Sequence, residues 1–315
     1  MTDRKQDIRR LAVYLAVTYA VTYAAEFILL RTCDPIYYQF ILMGVMFVPT
    51  LGTLAACRGL TKKRAGINWK FDIKKKFGWL ALAWFSPIIF TAVGAVMYFL
   101  MFPGDFSTKF EFLKETFEAQ GIEVKDGAVN GMPIEILAIV SIVQCFTLAP
   151  AFNALLALGE EIGWRGFMTP AFVRLLGRKG GLVVSGVLWG LWHAPLIVLI
   201  GYEYGTEYTG FPWLGILFFC FVCIALAICH TYLYERSGSI IVASVLHGSF
   251  NAAATLPQLF LKDADYKSLL GPFPTGLISL IPIAAAAAVI LFVSKPLPEE
   301  TPEEPEQEKV TEPAE

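Results

Sequence analysis

Residues 134–159 read IEILAIVSIVQCFTLAPAFNALLALG, and this run continues through Glu160 and Glu161 into IGWRGF at residues 162–167. An α-helix needs about 20 apolar residues to cross the hydrocarbon of a bilayer, and the run exceeds that length. Two adjacent carboxylates at its end are costly in hydrocarbon and usually have a function there. The stretch therefore predicts a membrane-spanning helix that carries functional charge.

The rest of the chain has the same apolar character. Of its 315 residues, 56% are hydrophobic and 17% are charged, with a mean hydropathy of +0.58, whereas a soluble domain has roughly 25% charged residues. Runs of spanning length lie at 11–30, 36–57, 78–102, 134–159, 181–200, 213–234, 238–260 and 274–293. The sequence predicts an all-α polytopic membrane protein with about eight transmembrane helices in one domain, residues 1–295.

The distribution of charge predicts how the chain sits in the membrane. In alternate loops, 19 of the 25 basic residues fall on one side, together with both termini, and 6 fall on the other. Basic residues are held on the cytoplasmic side, so both termini are expected to be cytoplasmic. A net charge of −2 gives no basic field, so a nucleic-acid partner is not expected.

Three further segments have a physical interpretation. Residues 62–77 interleave lysines with aromatic side chains, a pattern typical of contact with membrane lipids. Residues 296–315 are rich in Glu and Pro and predict a disordered acidic cytoplasmic tail. Glu26, near the outer end of the first run, is expected to reach the interface.

Polar residues inside the apolar runs form three motifs. LGEEIGWRGF at 158–167 is followed by SGVLWGLWHAP at 185–195 and by ASVLHGSFN at 243–251. Two of the three histidines, His193 and His247, lie in these motifs. His230 stands alone in an apolar run and is interpreted as a packing residue.

Helical spacing gives the neighbouring carboxylates different partners. Glu161 and Arg165 are four residues apart, the spacing of an ion pair along one helix face, so they are expected to form a structural pair. Glu160 is rotated by about 100° from Glu161 and is left to face the histidines. His247 and Asn251 share a face by the same four-residue spacing.

Depth in the membrane constrains the helix that carries the carboxylates. With a rise of about 1.5 Å per residue, His193 and His247 fall at similar levels in their helices. Glu160 reaches that level only if its helix continues past Arg165 and is long, tilted or bent at Pro150. Gly186 and Gly190 form a G-x-x-x-G that is typical of close helix approach.

In this order, E-E-x-x-x-R, aromatic-x-x-x-H and H-x-x-x-N resemble the three motifs of the type II CAAX prenyl endopeptidase family, which includes bacteriocin-processing and self-immunity proteins. The resemblance covers roughly residues 134–255, a CAAX-protease-like helical core. Trp189 stands where the family usually has Phe, and is expected to have a structural or substrate-orienting role beside Glu161 and Arg165.

The resemblance implies an intramembrane endopeptidase that acts on a peptide or lipidated protein among membrane lipids. It implies that Glu160 and His193 activate a water molecule, while His247 and Asn251 stabilise the oxyanion. Entry of the substrate is expected from the cytosol or laterally from lipid.

Alternatives remain for the cofactor and for the function. Glu160, His193 and His247 could hold zinc with an open position, although the H-E-x-x-H helix of zinc peptidases is absent. The preferred interpretation requires no cofactor. A non-catalytic scaffold or a bacteriocin-immunity protein on the same fold is the alternative function. A transporter is disfavoured, because the polar residues cluster in one half of the chain.

Overall fold

The computed structural model describes residues 2–294, and the predicted tail at 296–315 lies outside them. Its α-helices, α1 to α13 in order, are Thr2–Thr32, Tyr38–Val45, Val48–Cys57, Lys62–Ala65, Ile73–Met101, Glu111–Ala119, Ile134–Phe146, Leu148–Gly163, Thr169–Trp192, Ala194–Ile200, Trp213–Ser237, Ile240–Ala253 and Ile281–Val293. Its strands β1 to β3, Val124–Lys125, Ala128–Val129 and Met132–Pro133, form one small antiparallel sheet. The predicted all-α class is confirmed.

Long apolar helices cross the molecule between two ends. Among residues 2–294, six helical stretches are long and apolar enough to cross a membrane, and α7 and α13 are shorter apolar helices. The longest stretch, Leu148–Ile200, turns back at Gly177, whose φ of 74° is non-helical. That stretch supplies two passes, α7 extends the first of them and α13 adds a last one. The described residues therefore cross the molecule eight times.

The helix that carries the carboxylates continues past Arg165, as expected. Residues Trp164–Met168 form a π-helical turn that joins α8 to α9. The bend lies at Thr147, with φ −124° and ψ −85°, and not at Pro150. Pro150 falls in the first turn of α8, where a missing N–H costs nothing, so it does not need to bend the helix.

Small residues let the central helices approach closely. A Cβ on Gly186 would lie 2.4 Å from the Cα of Ile224, and one on Gly190 would lie 2.6 Å from the Cα of Cys220. The G-x-x-x-G therefore packs α9 on α11, as expected. On α12, Gly248 has the same relation to Ala154 of α8, at 2.6 Å.

The two ends of the bundle differ. At the basic end, Arg174 pairs with Asp7 at 2.8 Å, Arg178 pairs with Glu235 at 2.7 Å, and Lys76 bonds to the carbonyl of Ser237. We define the basic end as residues 58–77, 174–179 and 235–239. The opposite end, called the loop end, consists of residues 102–133, 201–212 and 254–280. An isolated antiparallel β-bridge between Phe106 and Leu261 joins the first and the last of these segments.

One prediction about a buried charge is wrong. Glu26 does not reach the interface: it is 0% exposed, and within residues 2–294 neither carboxylate oxygen has a hydrogen-bond partner. The C-terminal half of α1 packs against the region where α9 meets α10, with the Tyr23 hydroxyl donating to the Leu191 carbonyl at 2.6 Å. Packing of α1 against this junction covers the face that Glu26 needed to reach the interface.

Candidate active site

The three polar motifs meet at one cavity of about 760 Å³. The end of α8 contributes Glu160, the junction of α9 and α10 contributes His193, and α12 contributes His247 and Asn251. Trp189, one turn before His193, also lines the cavity. Glu160 and Asn251, 91 positions apart in the sequence, thus converge, because α8 packs along α12 and α9 packs along α11.

Glu160 is held by two indole groups. Its Oε2 atom accepts hydrogen bonds from Nε1 of Trp164 at 2.9 Å and from Nε1 of Trp189 at 3.0 Å. Both donors stabilise the charged carboxylate in a site where the side chain is only 3% exposed. The Oε1 atom remains for a ligand on the cavity side.

Glu161 lies behind the cavity wall and has different partners. Nε of Arg165 lies 2.9 Å from its Oε2 atom, which is the predicted ion pair. Its Oε1 atom lies 2.8 Å from Nδ1 of His247. The Arg165 guanidinium in turn lies over the ring of Trp189, 4.2 Å from its centroid. Glu161 and Arg165 are therefore part of the support for the residues that line the cavity.

The hydrogen bonds fix which ring nitrogens face the cavity. Nδ1 of His193 lies 2.9 Å from the carbonyl oxygen of Trp189, which can only accept, so Nδ1 carries the proton. Nδ1 of His247 donates in the same way to the Glu161 carboxylate. Nε2 of each histidine is then an acceptor in the neutral ring and a donor only in the protonated ring.

Comparison with known proteins assigns this region to a family. Residues 139–253 match the family model described as type II CAAX prenyl endopeptidase Rce1-like. We call this segment the Rce1-like domain, after the family model that it resembles. It contains all seven site residues named from the sequence, and its bounds lie within the predicted core at 134–255.

A curated relative supports the same assignment. The chain is 30% identical over 143 residues to "CAAX prenyl protease 2" of Methanococcus maripaludis, which covers 45% of this chain and 48% of that protein. The chain thus spans about half the length of the curated relative that it matches. The resemblance inferred from the three motifs is confirmed.

The Rce1-like domain contains a further histidine beside the site. The ring of His230 on α11 lies 5.5 Å from that of His247 and 5.8 Å from that of Trp189, centroid to centroid. Its Nδ1 atom donates to the Leu226 carbonyl at 2.7 Å, and its Nε2 atom is buried without a hydrogen-bond partner among residues 2–294. One signal was visible in the sequence, a third histidine in an apolar run, but no spacing connected it to the motifs.

A metal ion would be bound by a different group of side chains from the one that the sequence suggested. Within residues 2–294, the ligand atoms of Glu161, His230 and His247 lie within 4.8 Å of one another, whereas Glu160, His193 and His247 do not form such a group. Arg165 already pairs with Glu161, so a divalent cation there would lie beside a fixed positive charge.

The cavity extends from the polar cluster toward the loop end. Its outer lining consists of Gln39, at the start of α2, and of side chains at the loop end: Tyr202, Glu203, Gln258, Tyr266, Phe273 and Thr275. Within residues 2–294, the basic end contributes nothing to the lining. On the basic side, Trp164 and Arg165 are almost fully buried beneath the cluster. The Rce1-like domain thus opens away from the basic end.

Proposed function

We propose that this chain is an intramembrane endopeptidase that hydrolyses a peptide bond of a membrane-associated or lipidated substrate. The observation that carries the proposal is the convergence of Glu160, His193, His247 and Asn251 on one cavity. Such a group supplies a base, a second contact to water and two donors to developing negative charge.

In this mechanism Glu160 is the general base. A water molecule held between Oε1 of Glu160 and Nε2 of His193 gives a proton to the carboxylate, and its oxygen forms a bond to the carbonyl carbon of the substrate. When the C–N bond breaks, the protonated Glu160 returns that proton to the leaving amine. The second proton of the water stays on the new acid group, so the products are a carboxylic acid, which ionises on release, and an amine, and no other reactant is consumed.

His247 and Asn251 stabilise the tetrahedral intermediate. The Asn251 amide donates directly to the oxyanion. His247 donates through Nε2 only when its ring is protonated, because its Nδ1–H is bonded to Glu161. Glu161 is therefore the group placed to neutralise a protonated His247. Trp189 and Arg165 position these carboxylates.

We infer that the mechanism requires no metal. The inference is supported by the ion pair of Arg165 with Glu161, which puts a fixed positive charge beside the possible ligand group Glu161, His230 and His247. A chelator should leave turnover unchanged. Loss of turnover on chelation with recovery on addition of zinc would keep the enzyme and replace this mechanism.

We further infer that both termini are cytoplasmic, because 19 of the 25 basic residues lie on the side of the termini. On that orientation the cavity opens away from the cytosol, so the peptide enters from the outer face or laterally from lipid. Entry from the cytosol, one of the two expected routes, then has no opening in the cavity lining among residues 2–294.

Cysteine labelling tests the orientation. Cys33 is partly exposed and the other five cysteines are buried, so labelling of native cysteines should be low in the Cys33→Ser variant. In that background, an impermeant maleimide added to intact cells should label Glu207→Cys, while Lys63→Cys should react only after permeabilisation. The reverse pattern would place the cavity mouth in the cytosol.

The activity itself is tested with purified protein in lipid vesicles. The probe is a mixed library of fluorescence-quenched peptides, with and without a single acyl chain. The parent should cleave a subset of the library and Glu160→Ala should not. Glu135→Ala, which removes an exposed carboxylate from the first turn of α7, is the matched control. Equal cleavage by parent and Glu160→Ala would remove Glu160 as the base, and no cleavage by the parent would leave a scaffold or immunity protein as the better account.

A further inference from the structure

A second carboxylate, Glu203, faces the cavity from the loop end. It lies in the 201–212 loop between Gly201 and Gly205, whose φ angles of 63° and 70° are left-handed. Glu203 itself has φ 68°. That conformation is unfavourable for a residue with a Cβ atom, so the surrounding contacts must hold it. Residues held in this way are concentrated at functional sites.

Contacts between two loops fix the Glu203 carboxylate. The Thr275 hydroxyl donates to Oε2 of Glu203 at 2.9 Å, and the Thr275 carbonyl accepts from the Tyr204 hydroxyl at 3.0 Å. The Ser268 hydroxyl donates to the Tyr204 carbonyl at 2.7 Å. The carboxylate is therefore preorganised, and its two oxygens retain lone pairs for a ligand.

The loop also brings Glu203 close to the proposed catalytic residues. The ring of Tyr202 stacks on that of His193, with centroids 5.9 Å apart and planes within 8°. Tyr202, Glu203 and Thr275 all line the same cavity as His193. A peptide bound at His193 would thus have neighbouring side chains within reach of Glu203.

The charges around Glu203 are not balanced by the protein. The ion pairs found within residues 2–294 do not include it, and the described cavity lining contains no Lys or Arg. Lys267, on the same end, pairs with Asp105 at 3.7 Å. Burial raises the pKa of Glu203, and hydrogen bonds from Thr275 and Tyr202 oppose this shift. A cationic ligand would stabilise the charged carboxylate.

We propose that Glu203 and Thr275 form a subsite for a positively charged group of the substrate, a Lys or Arg side chain close to the bond that is cut. The inference rests on the proposed peptidase function and adds the class of peptide, a cationic one. Glu203 is then a specificity-determining residue and takes no part in the chemical step.

The test uses pairs of quenched peptides that differ at one position, which carries either Lys or its uncharged analogue norleucine. The position is moved along the peptide, and the amino terminus is acetylated in one set and free in the other. At one position the parent should prefer Lys by about tenfold in kcat/KM, as expected for a charge-assisted hydrogen bond. A preference that appears only with the free amino terminus would overturn the assignment to a side chain.

Variants of Glu203 distinguish an effect of its charge from an effect on the structure of the loop. Glu203→Gln should bring the Lys-to-norleucine ratio close to one, Glu203→Asp should keep a preference for Lys, and Glu203→Lys should favour Glu peptides. Glu207→Gln, an exposed carboxylate on the same loop, should behave like the parent. An unchanged ratio in Glu203→Gln, or equal loss of all peptides in Glu203→Gln and Glu203→Asp, would overturn the subsite.

Binding measured without cleavage distinguishes the two proposals. The same peptides, labelled with a fluorophore, are titrated against Glu160→Ala protein and against the Glu160→Ala, Glu203→Gln double variant. The first should bind the Lys peptide about tenfold more tightly and the second should not. If the parent cleaves nothing, this preference still supports the cationic subsite, and its absence refutes it.

Discussion

Glu160 and Glu161 are adjacent in sequence but lie in two different regions of the molecule. Glu160 lies in the cavity wall, where its partners are the neutral N–H groups of Trp164 and Trp189. Glu161 lies in the packed region behind the wall, between Arg165 and Nδ1 of His247. The first region holds a carboxylate with an oxygen available to ligand, and the second holds one whose oxygens are both engaged.

Two adjacent residues of one helix can therefore have different roles, one in the reaction and one in holding the site together. A buried carboxylate with a paired cation is stabilised where it is and contributes to the fold. A buried carboxylate whose partners are neutral donors has no cation beside it, and its second oxygen stays available to a ligand. The comparison predicts that changes in the cavity wall affect turnover, whereas changes behind it affect stability first.

The largest effect is expected for Glu160→Ala. It removes the proposed base, so turnover in vesicles should fall by up to about 10⁴-fold while the melting temperature in detergent stays near that of the parent. His193→Ala should lose a similar factor, and the double variant should be hardly worse, because both act on one water molecule. Additive losses would show that the two residues act in separate steps.

A large effect on stability is expected for Glu161→Gln. It leaves the Arg165 guanidinium buried and unpaired, which typically costs about 3–5 kcal/mol, so the melting temperature should fall. Turnover should also decrease, because His247 loses the negative charge beside its Nδ1 atom, which would neutralise its protonated ring.

The control for Glu161 removes both charges. Glu161→Leu combined with Arg165→Met should recover much of the stability without restoring turnover. If Glu161→Gln instead melts like the parent and is inactive, Glu161 is the working carboxylate and the comparison is reversed.

A smaller loss is expected for Asn251→Ala. One oxyanion donor is typically worth about 10²- to 10³-fold in rate, so kcat should decrease by that factor with little change in stability. Asn153→Ala is the matched control, since Asn153 lines the same cavity but its amide donates to the Ala149 carbonyl at 2.9 Å. Equal losses in both variants would argue against a specific oxyanion contact.

The smallest effect is expected for His230→Leu. The Nε2 atom of His230 is buried without a hydrogen-bond partner in the described residues, so its removal should leave the melting temperature unchanged or raise it. Turnover should stay near that of the parent. A strong loss of turnover would place His230 in the working site with Glu161 and His247.

The sequence predicted most of the fold, because membrane-spanning helices are specified by apolar length. The spans near 11–30 and 213–234 correspond to α1 and α11. The positions at which the membrane helices are interrupted were less predictable. His193 was expected inside a helix, but it lies at the end of α9, where Pro195 begins the next helix and cannot donate to the carbonyl four residues earlier.

The sequence alone determined the class of fold and the polar residues of the site, since both follow from local rules: the cost of charge in hydrocarbon and the helical periodicity that separates Glu160 from Glu161. The hydrogen-bond partners of these site residues depend on tertiary structure. The bond from His247 to Glu161 joins residues 86 positions apart, and the Trp189 bond to Glu160 joins residues 29 apart. The place of Glu203 in the cavity wall and the burial of Glu26 were also decided there. Contacts of this kind depend on how helices pack against each other, which no spacing within a single helix specifies.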